Sequence, residues 1–284
     1  MEMIRKESPN AFGKTSSLSL TAARAGHKTC LRELSFRAPF KVMSPFEQED
    51  GGIQVMVLTA SAGILEGDVQ EIEVRTEPGA RMECISQSFE KIHKMDKGRA
   101  RRNTSLHVGR DSLLLYRPLP AIPFAGSAFD SRTQIELEDK SSRLIYQEIL
   151  SCGRAARGER FGFRHYNSLV EARQDGHLIY RENCRFSPEH LPMESVGFFE
   201  GYSHLASILL FHMDMDGGQK EEIRGRLEDR EDMCGGITTT GSGDTVVRIL
   251  GNQAQKLQEL CDEICRLYIN HNQLRRIIDT GQVI

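Results

Sequence analysis

The sequence predicts a mainly β fold: an irregular, β-helix-like stack of strands followed by a small C-terminal α+β lobe containing two helices. Three observations carry this. Strand-like segments recur every 10–20 residues up to about residue 200, and no helical pattern of 12 or more residues interrupts them. Two phrases echo each other, Glu77–Ser86 (EPGARMECIS) and Glu138–Leu150 (EDKSSRLIYQEIL). Each is a polar turn followed by a strand with an acidic residue, as a stacked β-coil would produce. After residue 200 the character changes, because segments with apolar residues three or four apart, at 218–230 and 252–270, now join the strands. The expected organisation is a frayed N-terminus over 1–15, a β-rich body over 16–200 and the α+β lobe over 201–284, joined as one structural unit.

The elements follow in order. Ser17–Ala23 and Cys30–Phe36 alternate apolar and polar residues, as half-buried strands do. Ile53–Thr59 (IQVMVLT) is a continuous apolar run, which predicts a strand buried on both faces. Val69–Thr76 alternates again, with Val69, Ile72 and Val74 as its expected apolar set, and it ends at the turn signal Pro78-Gly79. Further strands are expected at 81–88, 101–108, 112–116, 132–137, 143–150, 164–171, 177–186 and 204–212. Residues 218–230 place Ile223 and Leu227 at i, i+4 and predict a short exposed helix. Residues 236–240 and 244–250 read as paired strands around Gly241-Ser242-Gly243. The strongest helix spans Asn252–Asn270, with Leu257, Leu260, Cys261, Ile264, Leu267 and Tyr268 on one stripe and Asn252 as its N-cap.

Composition narrows the function classes. The chain has 284 residues, 39% hydrophobic and 27% charged, which argues against disorder, collagen and coiled coil. Its 37 basic and 40 acidic side chains give a net charge of −3, so no global field draws it to nucleic acid or an anionic membrane. No apolar run approaches the roughly 18–20 residues that span a bilayer, and the N-terminus lacks the apolar stretch of a secretory signal. The seven cysteines are odd in number and scattered. These features predict reduced thiols in a cytoplasmic protein.

Local motifs are uninformative. Cys261 and Cys265 lie one helical turn apart but also belong to the apolar stripe, and read as core. Asp214-Met215-Asp216 lacks the remaining ligands of a calcium loop. Gly241-Ser242-Gly243 has no lysine and opens no helix, so it reads as a hairpin turn. The nine histidines form no ligand-spaced pair, and metal ligands stay unassigned. The basic clusters at 99–102 and 154–160 lack interleaved aromatics and read as solvated surface or partner contact. Carboxylates among apolar strands are more telling: Asp68, Glu90 beside Lys91, and Glu148. Such groups near a core are costly unless paired, hydrogen-bonded or metal-bound. They predict either a buried ion pair, with Arg154 the natural cation, or a polar passage that handles metal.

Longer phrases add a family. Ala38–Phe46 (APFKVMSPF), Ser61–Val74 (SAGILEGDVQEIEV), Pro78–His93 (PGARMECISQSFEKIH), Arg117–Phe129 (RPLPAIPFAGSAF) and Leu144–Phe161 (LIYQEILSCGRAARGERF) occur in this order. Together they resemble the urease accessory protein family UreD, called UreH in some bacteria. The stretch SQSFEKIH looks most like the UreH branch. The resemblance runs from about Leu18 to Cys265 and weakens after Phe186.

This resemblance implies a non-enzymatic scaffold for maturation of urease, a dinuclear nickel enzyme. It implies a partnership with UreF, recruitment of the GTPase UreG, docking on apo-urease, and a 2:2 heteromer with UreF. It implies no tightly bound cofactor but transient passage of nickel through a tunnel inside the chain. The interior polar positions of the family match Asp68, Glu90, Lys91, Glu148 and Glu182 here, which become tunnel candidates. A conduit suits oxygen ligands, because Ni²⁺ would be held by thiolate or imidazole clusters. Two other classes stay open: a small-molecule enzyme using Glu148 or Asp68 as general base in a blind pocket, and a metal-storage protein with converging His and Cys side chains.

Overall fold

The computed structural model describes residues 13, 15–213 and 215–280, with side chains described through 267 and at 269. The expected frayed segment 1–15 therefore falls outside the described residues except for Gly13 and Thr15, and Thr15 already opens the first strand.

Two antiparallel units start the chain. Strands β1 (Thr15–Ala25) and β2 (Lys28–Phe36) form a hairpin, turning at Gly26 with a positive φ of 63°. Short strands β3 (Phe40–Val42) and β4 (Phe46–Glu47) both pair with β5 (Ile53–Thr59). A coil follows. It runs through β6 (Val69–Thr76), β7 (Arg81–Ser86), β8 (Glu90–Ile92), β9 (Ala100–Val108), β10 (Leu113–Arg117), β11 (Ala121–Pro123), β12 (Ala128–Leu137) and β13 (Arg143–Ser151). Each turn of the coil lays one strand on each of two large sheets, and the first two turns add a rung to a third, short face. Pairing along the stack is parallel: β6 to β9 to β12, β7 to β10 to β13, and β8 to β11.

The far end is again antiparallel. β14 (His165–Gln174) and β15 (His177–Phe186) extend the first sheet, giving the order β15-β14-β12-β9-β6-β1-β2. β16 (His204–Phe211), then helix α1 (Gly217–Glu228), strands β17 (Met233–Thr239) and β18 (Thr245–Gly251), and helix α2 (Ala254–Thr280) complete the chain. The second sheet has the order β17-β18-β16-β13-β10-β7-β5-β3. The C-terminal lobe thus continues this sheet, because β16 pairs with β13 and β18 with β16.

The echoing phrases are the first and third of three stacked corners of the coil, with the corner at 109–112 between them. Arg81, Leu113 and Arg143 stand at one level of the second sheet. The corners hydrogen-bond to each other, Leu113 N–H to the Ala80 carbonyl and Arg143 N–H to the Ser112 carbonyl, both at 3.0 Å. The acidic residues of the two phrases do not correspond. Glu83 shares its face with the outward side of β7, whereas Glu148 shares the inward face of β13 with Leu144 and Tyr146.

Three cores hold the stack together. The first lies between the sheets and includes Leu18, Leu20, Val55, Val74, Leu106, Leu114, Ile135 and Leu144. The second lies outside the second sheet, where Ile145, Ile208, Leu210 and Ile249 meet Ile223 and Leu227 of α1 and Leu257, Leu260, Cys261, Ile264 and Cys265 of α2. The third closes one end around Phe129, Phe163, Tyr166 and Phe199.

Three local expectations change. β5 is not buried on both faces: Ile53, Val55 and Val57 are buried, but Gln54 and Met56 are half-buried, because no further layer fully covers its outer side. In β6 the buried set is Gln70, Ile72, Val74 and Thr76, and Val69 falls on the opposite face, as strict alternation requires. Asn252 does not cap α2. The first helical hydrogen bond runs from Leu257 N–H to the Gln253 carbonyl, and the Asn252 amide oxygen accepts the Ser203 N–H at 3.1 Å. α1 does carry a capping box, in which Asp216 accepts the Gln219 N–H and the Gln219 side chain accepts the Asp216 N–H.

Candidate functional site

The inward faces of the first sheet change character along their length. In β6 the inward series runs Gln70, Ile72, Val74. In β9 it runs Arg102, Thr104, Leu106, in β12 Ser131, Thr133, Ile135, and in β14 Ser168, Val170, Ala172. Along each series polar positions give way to apolar ones, and in β9, β12 and β14 the polar position is itself preceded by Ala100, Phe129 or Tyr166 of the third core. Parallel register aligns the polar positions, so Ser16, Gln70, Arg102, Ser131, Ser168 and Cys184 stand side by side across six strands. The second sheet answers with an inward row of Glu148, Ser207 and Arg248. The result is a polar band between two sheets whose remaining interior is hydrocarbon.

Hydrogen bonds and ion pairs cross this band. Ser168 Oγ donates to Glu148 Oε2 at 3.2 Å, tying the sheets together. Arg248 Nη2 meets Glu182 Oε1 at 2.5 Å. Glu182 also accepts from the Tyr180 hydroxyl at 2.9 Å and the Cys184 thiol at 3.0 Å. On the side of the short face, Arg102 forms an ion pair with Glu90 and donates twice to Gln70 Oε1, at 2.9 Å from Nε and 2.5 Å from Nη2. The Arg102 guanidinium also lies 5.5 Å from the centroid of the Phe129 ring. Tyr116 and Tyr146 stack at 5.9 Å on the second sheet.

The electrostatics of the three carboxylates differ. Glu90 and Glu182 each face an arginine. Burial works against the Arg102 cation, but the Glu90 carboxylate holds it firmly charged, and Glu182 does the same for Arg248. Among the described residues, Glu148 has no arginine in contact. It keeps some accessible surface, yet the surrounding shell desolvates it, and this burial raises its pKa. Hydrogen bonds from Tyr146 and Ser168 pull the other way, and the negative charge of Glu182 adds to the rise. Thiols in the band are poor ligands. Burial pushes Cys84 and Cys184 up to about 12, so both stay protonated at neutral pH.

A cavity of about 350 Å³ adjoins the band. Glu90, Lys91, Arg102 and Tyr116 line it on the polar side, and Leu18, Phe40 and Val57 on the apolar side. The loop Ser61–Ile64 forms another wall.

The structure therefore brings together Glu90, Glu148 and Glu182 of the five sequence-selected residues. Lys91 is exposed and stands on the cavity lining. Asp68, just before β6, commits its carboxylate to its own loop and not to the hydrogen bonds of the band. Its Oδ2 accepts the Leu65 N–H at 2.8 Å and closes its own loop. Arg154 does form an ion pair, but with Glu159, and it stacks 4.5 Å over the Phe124 ring at a partly exposed position. The arginines beside the interior carboxylates are Arg102 and Arg248, which sequence reasoning did not single out. A second buried network was also missed. Arg117 contacts Glu83 Oε1 at 3.1 Å and Asp262 Oδ1 at 3.0 Å, joining β7, β10 and α2 on the outer side of the second sheet.

Cys261 and Cys265 are fully buried in the core beneath α2. Among the described residues, no three His, Cys, Asp or Glu side chains gather where they would hold a metal ion. Among those residues, no helix is long and apolar enough to cross a membrane.

Comparison with known proteins adds identity to this geometry. The profile of the UreD urease accessory protein family matches residues 14–278. A urease accessory protein UreD from Acetivibrio thermocellus is 40% identical over 252 residues, covering 88% of this chain and 96% of that protein. A urease accessory protein UreH from Helicobacter pylori strain G27 is 32% identical over 259 residues, covering 91% and 96%. A urease accessory protein UreD from Actinobacillus pleuropneumoniae is 28% identical over 245 residues, covering 84% and 90%. The D and H designations both occur among these relatives, and the match spans both sheets and both helices. The chain belongs to the UreD/UreH family of urease accessory proteins, and its role lies in urease maturation.

Proposed function

We propose that this protein is a non-catalytic scaffold through which nickel reaches apo-urease, acting in the cytoplasm with UreF and the GTPase UreG in a 2:2 assembly with UreF. The observation that carries the reading is the polar band: Glu90, Glu148 and Glu182 lie along the space between two sheets that is otherwise apolar. A passage for Ni²⁺ needs oxygen donors that lower the cost of desolvating a dication. It must also avoid the imidazole and thiolate sets that would trap the ion. Carboxylates, hydroxyls and protonated thiols meet both demands.

The remaining candidates fit around this route. Lys91 stands at the cavity. Asp68 acts at one remove, by holding the loop whose Ser61–Ile64 half walls that cavity. Nickel is cargo here, not a resident cofactor.

The test is co-expression of urease subunits with UreF and UreG, with and without this chain, followed by nickel analysis of the purified urease. Nickel-poor, inactive urease only in its absence is the expected result. Fully loaded urease without it would overturn the reading.

A further inference from the structure

A band of carboxylates that conducts a dication must not keep it. Arginines stand against the carboxylates of this band. Of the carboxylates Glu90, Glu148 and Glu182 of the band, two already have a cation in contact: Glu90 has Arg102 and Glu182 has Arg248. Both arginines project from the inward faces, one from each sheet, and each touches its carboxylate across a sheet boundary. Arg102 is fixed further by Gln70 and the Phe129 ring. Its side chain is only 14% exposed, so it is a built-in part of the interior rather than a surface cation that swung inward.

We propose that Arg102 and Arg248 are resident counter-ions, which keep Glu90 and Glu182 from retaining a divalent cation. This deepens the conduit reading and rests on it. With both pairs closed, an incoming dication meets no uncompensated carboxylate pair. It gains contact with Glu90 or Glu182 only by competing with a guanidinium already there, and that guanidinium repels it at short range. Glu148, lying between the two pairs, is the carboxyl that an ion reaches without displacing an arginine. The band therefore presents a series of weak, competed contacts instead of a chelating site. Removing one arginine charge converts the adjacent carboxylate, together with its neighbouring oxygen donors, into a retaining site for a hard or borderline dication.

Equilibrium dialysis of the purified full chain against Ni²⁺ alone tests this. The variants are R102Q and R248Q, the charge-keeping R102K and R248K, and the doubles R102Q/E90Q and R248Q/E182Q. R102Q and R248Q are each expected to bind Ni²⁺ at least about tenfold tighter than the parent. The lysine variants should stay at the parent's affinity, and the doubles should lose the gain. Unchanged affinity in a folded R102Q and R248Q overturns the proposal, and so does a gain that survives E90Q and E182Q. Arg248 is the more exposed of the two, at 36%, so R248Q carries the test if R102Q does not fold. Urease loading is read separately. Full nickel in urease matured with E148A strikes the conduit reading and leaves the dialysis result standing, whereas flat dialysis with impaired loading strikes only the counter-ions.

Discussion

At the scale of single residues, Glu148 is the most informative group. Its pKa is raised, chiefly by burial, so the folded state favours the protonated acid. Between the unfolded and folded pKa values the native state holds one more proton than the unfolded chain, and stability falls as pH rises through that window. Below the unfolded value, about 4.3, both states are protonated and no penalty exists. E148Q keeps the shape and removes the ionisation. Thermal unfolding should therefore give E148Q and the parent equal Tm near pH 4. By pH 8 the variant should have the higher Tm, because the parent must then either ionise a desolvated carboxyl or hold its extra proton against the rising pH. A Tm difference independent of pH would show that Glu148 titrates normally.

Glu148 was legible in the sequence as a carboxylate among apolar neighbours, Tyr146 and Ile149. Its setting was not, because its neighbours Ser168, Glu182 and Arg248 come from distant strands. Arg102 was hidden for a different reason. It sits in the basic run Arg99–Arg102, which looks solvated, and only strand alternation turns this one member inward while Arg101 faces out.

At the scale of elements, local pattern was a good guide to strands and a poor guide to faces. The β17–β18 hairpin and the apolar stripe of α2 from Leu257 to Leu267 follow directly from spacing, and the Tyr268 side chain lies outside the described residues. The error at Val69 and Gln70 arose from weighing hydrophobicity over parity. It concealed the polar end of β6, and with it the first clue that the band exists.

Two elements carry testable loads. Arg117 bridges Glu83 to Asp262 of α2, with side chains 12%, 11% and 26% exposed. Among the described residues, R117A leaves Glu83 with Gln48 and Gln54 as donors, and it should destabilise the chain by about 3 kcal/mol and loosen α2. Urea denaturation measures the cost, and hydrogen exchange on α2 locates it. No change in exchange would mean that apolar packing alone seats the helix. Gly63 adopts a φ of +144°, and a Cβ there would come within 2.8 Å of the His93 ring. G63A should therefore cost about 2–4 kcal/mol and displace the wall of the cavity. Wild-type stability in G63A would show that the loop adapts freely.

At the scale of the whole molecule, the stack explains why such a band can form at all. In a parallel coil, residues at the same offset in successive turns become neighbours, so a polar position repeated once per turn becomes a continuous row. The coil itself was foreshadowed by the echo between residues 77–86 and 138–150. The row was not, because its members (Gln70, Arg102, Ser131, Ser168) differ in type and stand 29 to 37 residues apart. Register, not motif, assembles them. The C-terminal lobe extends the second sheet and covers its outer face, which leaves the space between the sheets as the place where polar groups from many strands converge.

The proposed route for nickel is that space. Its most direct measurement is the nickel content of urease matured in cells carrying E148A, with recovery of the accessory complex measured in parallel. The complex should stay intact and the nickel of the urease should fall several-fold, because the carboxyl of the band that has no arginine in contact among the described residues is gone. Fully loaded urease from E148A, with the complex intact, would contradict it.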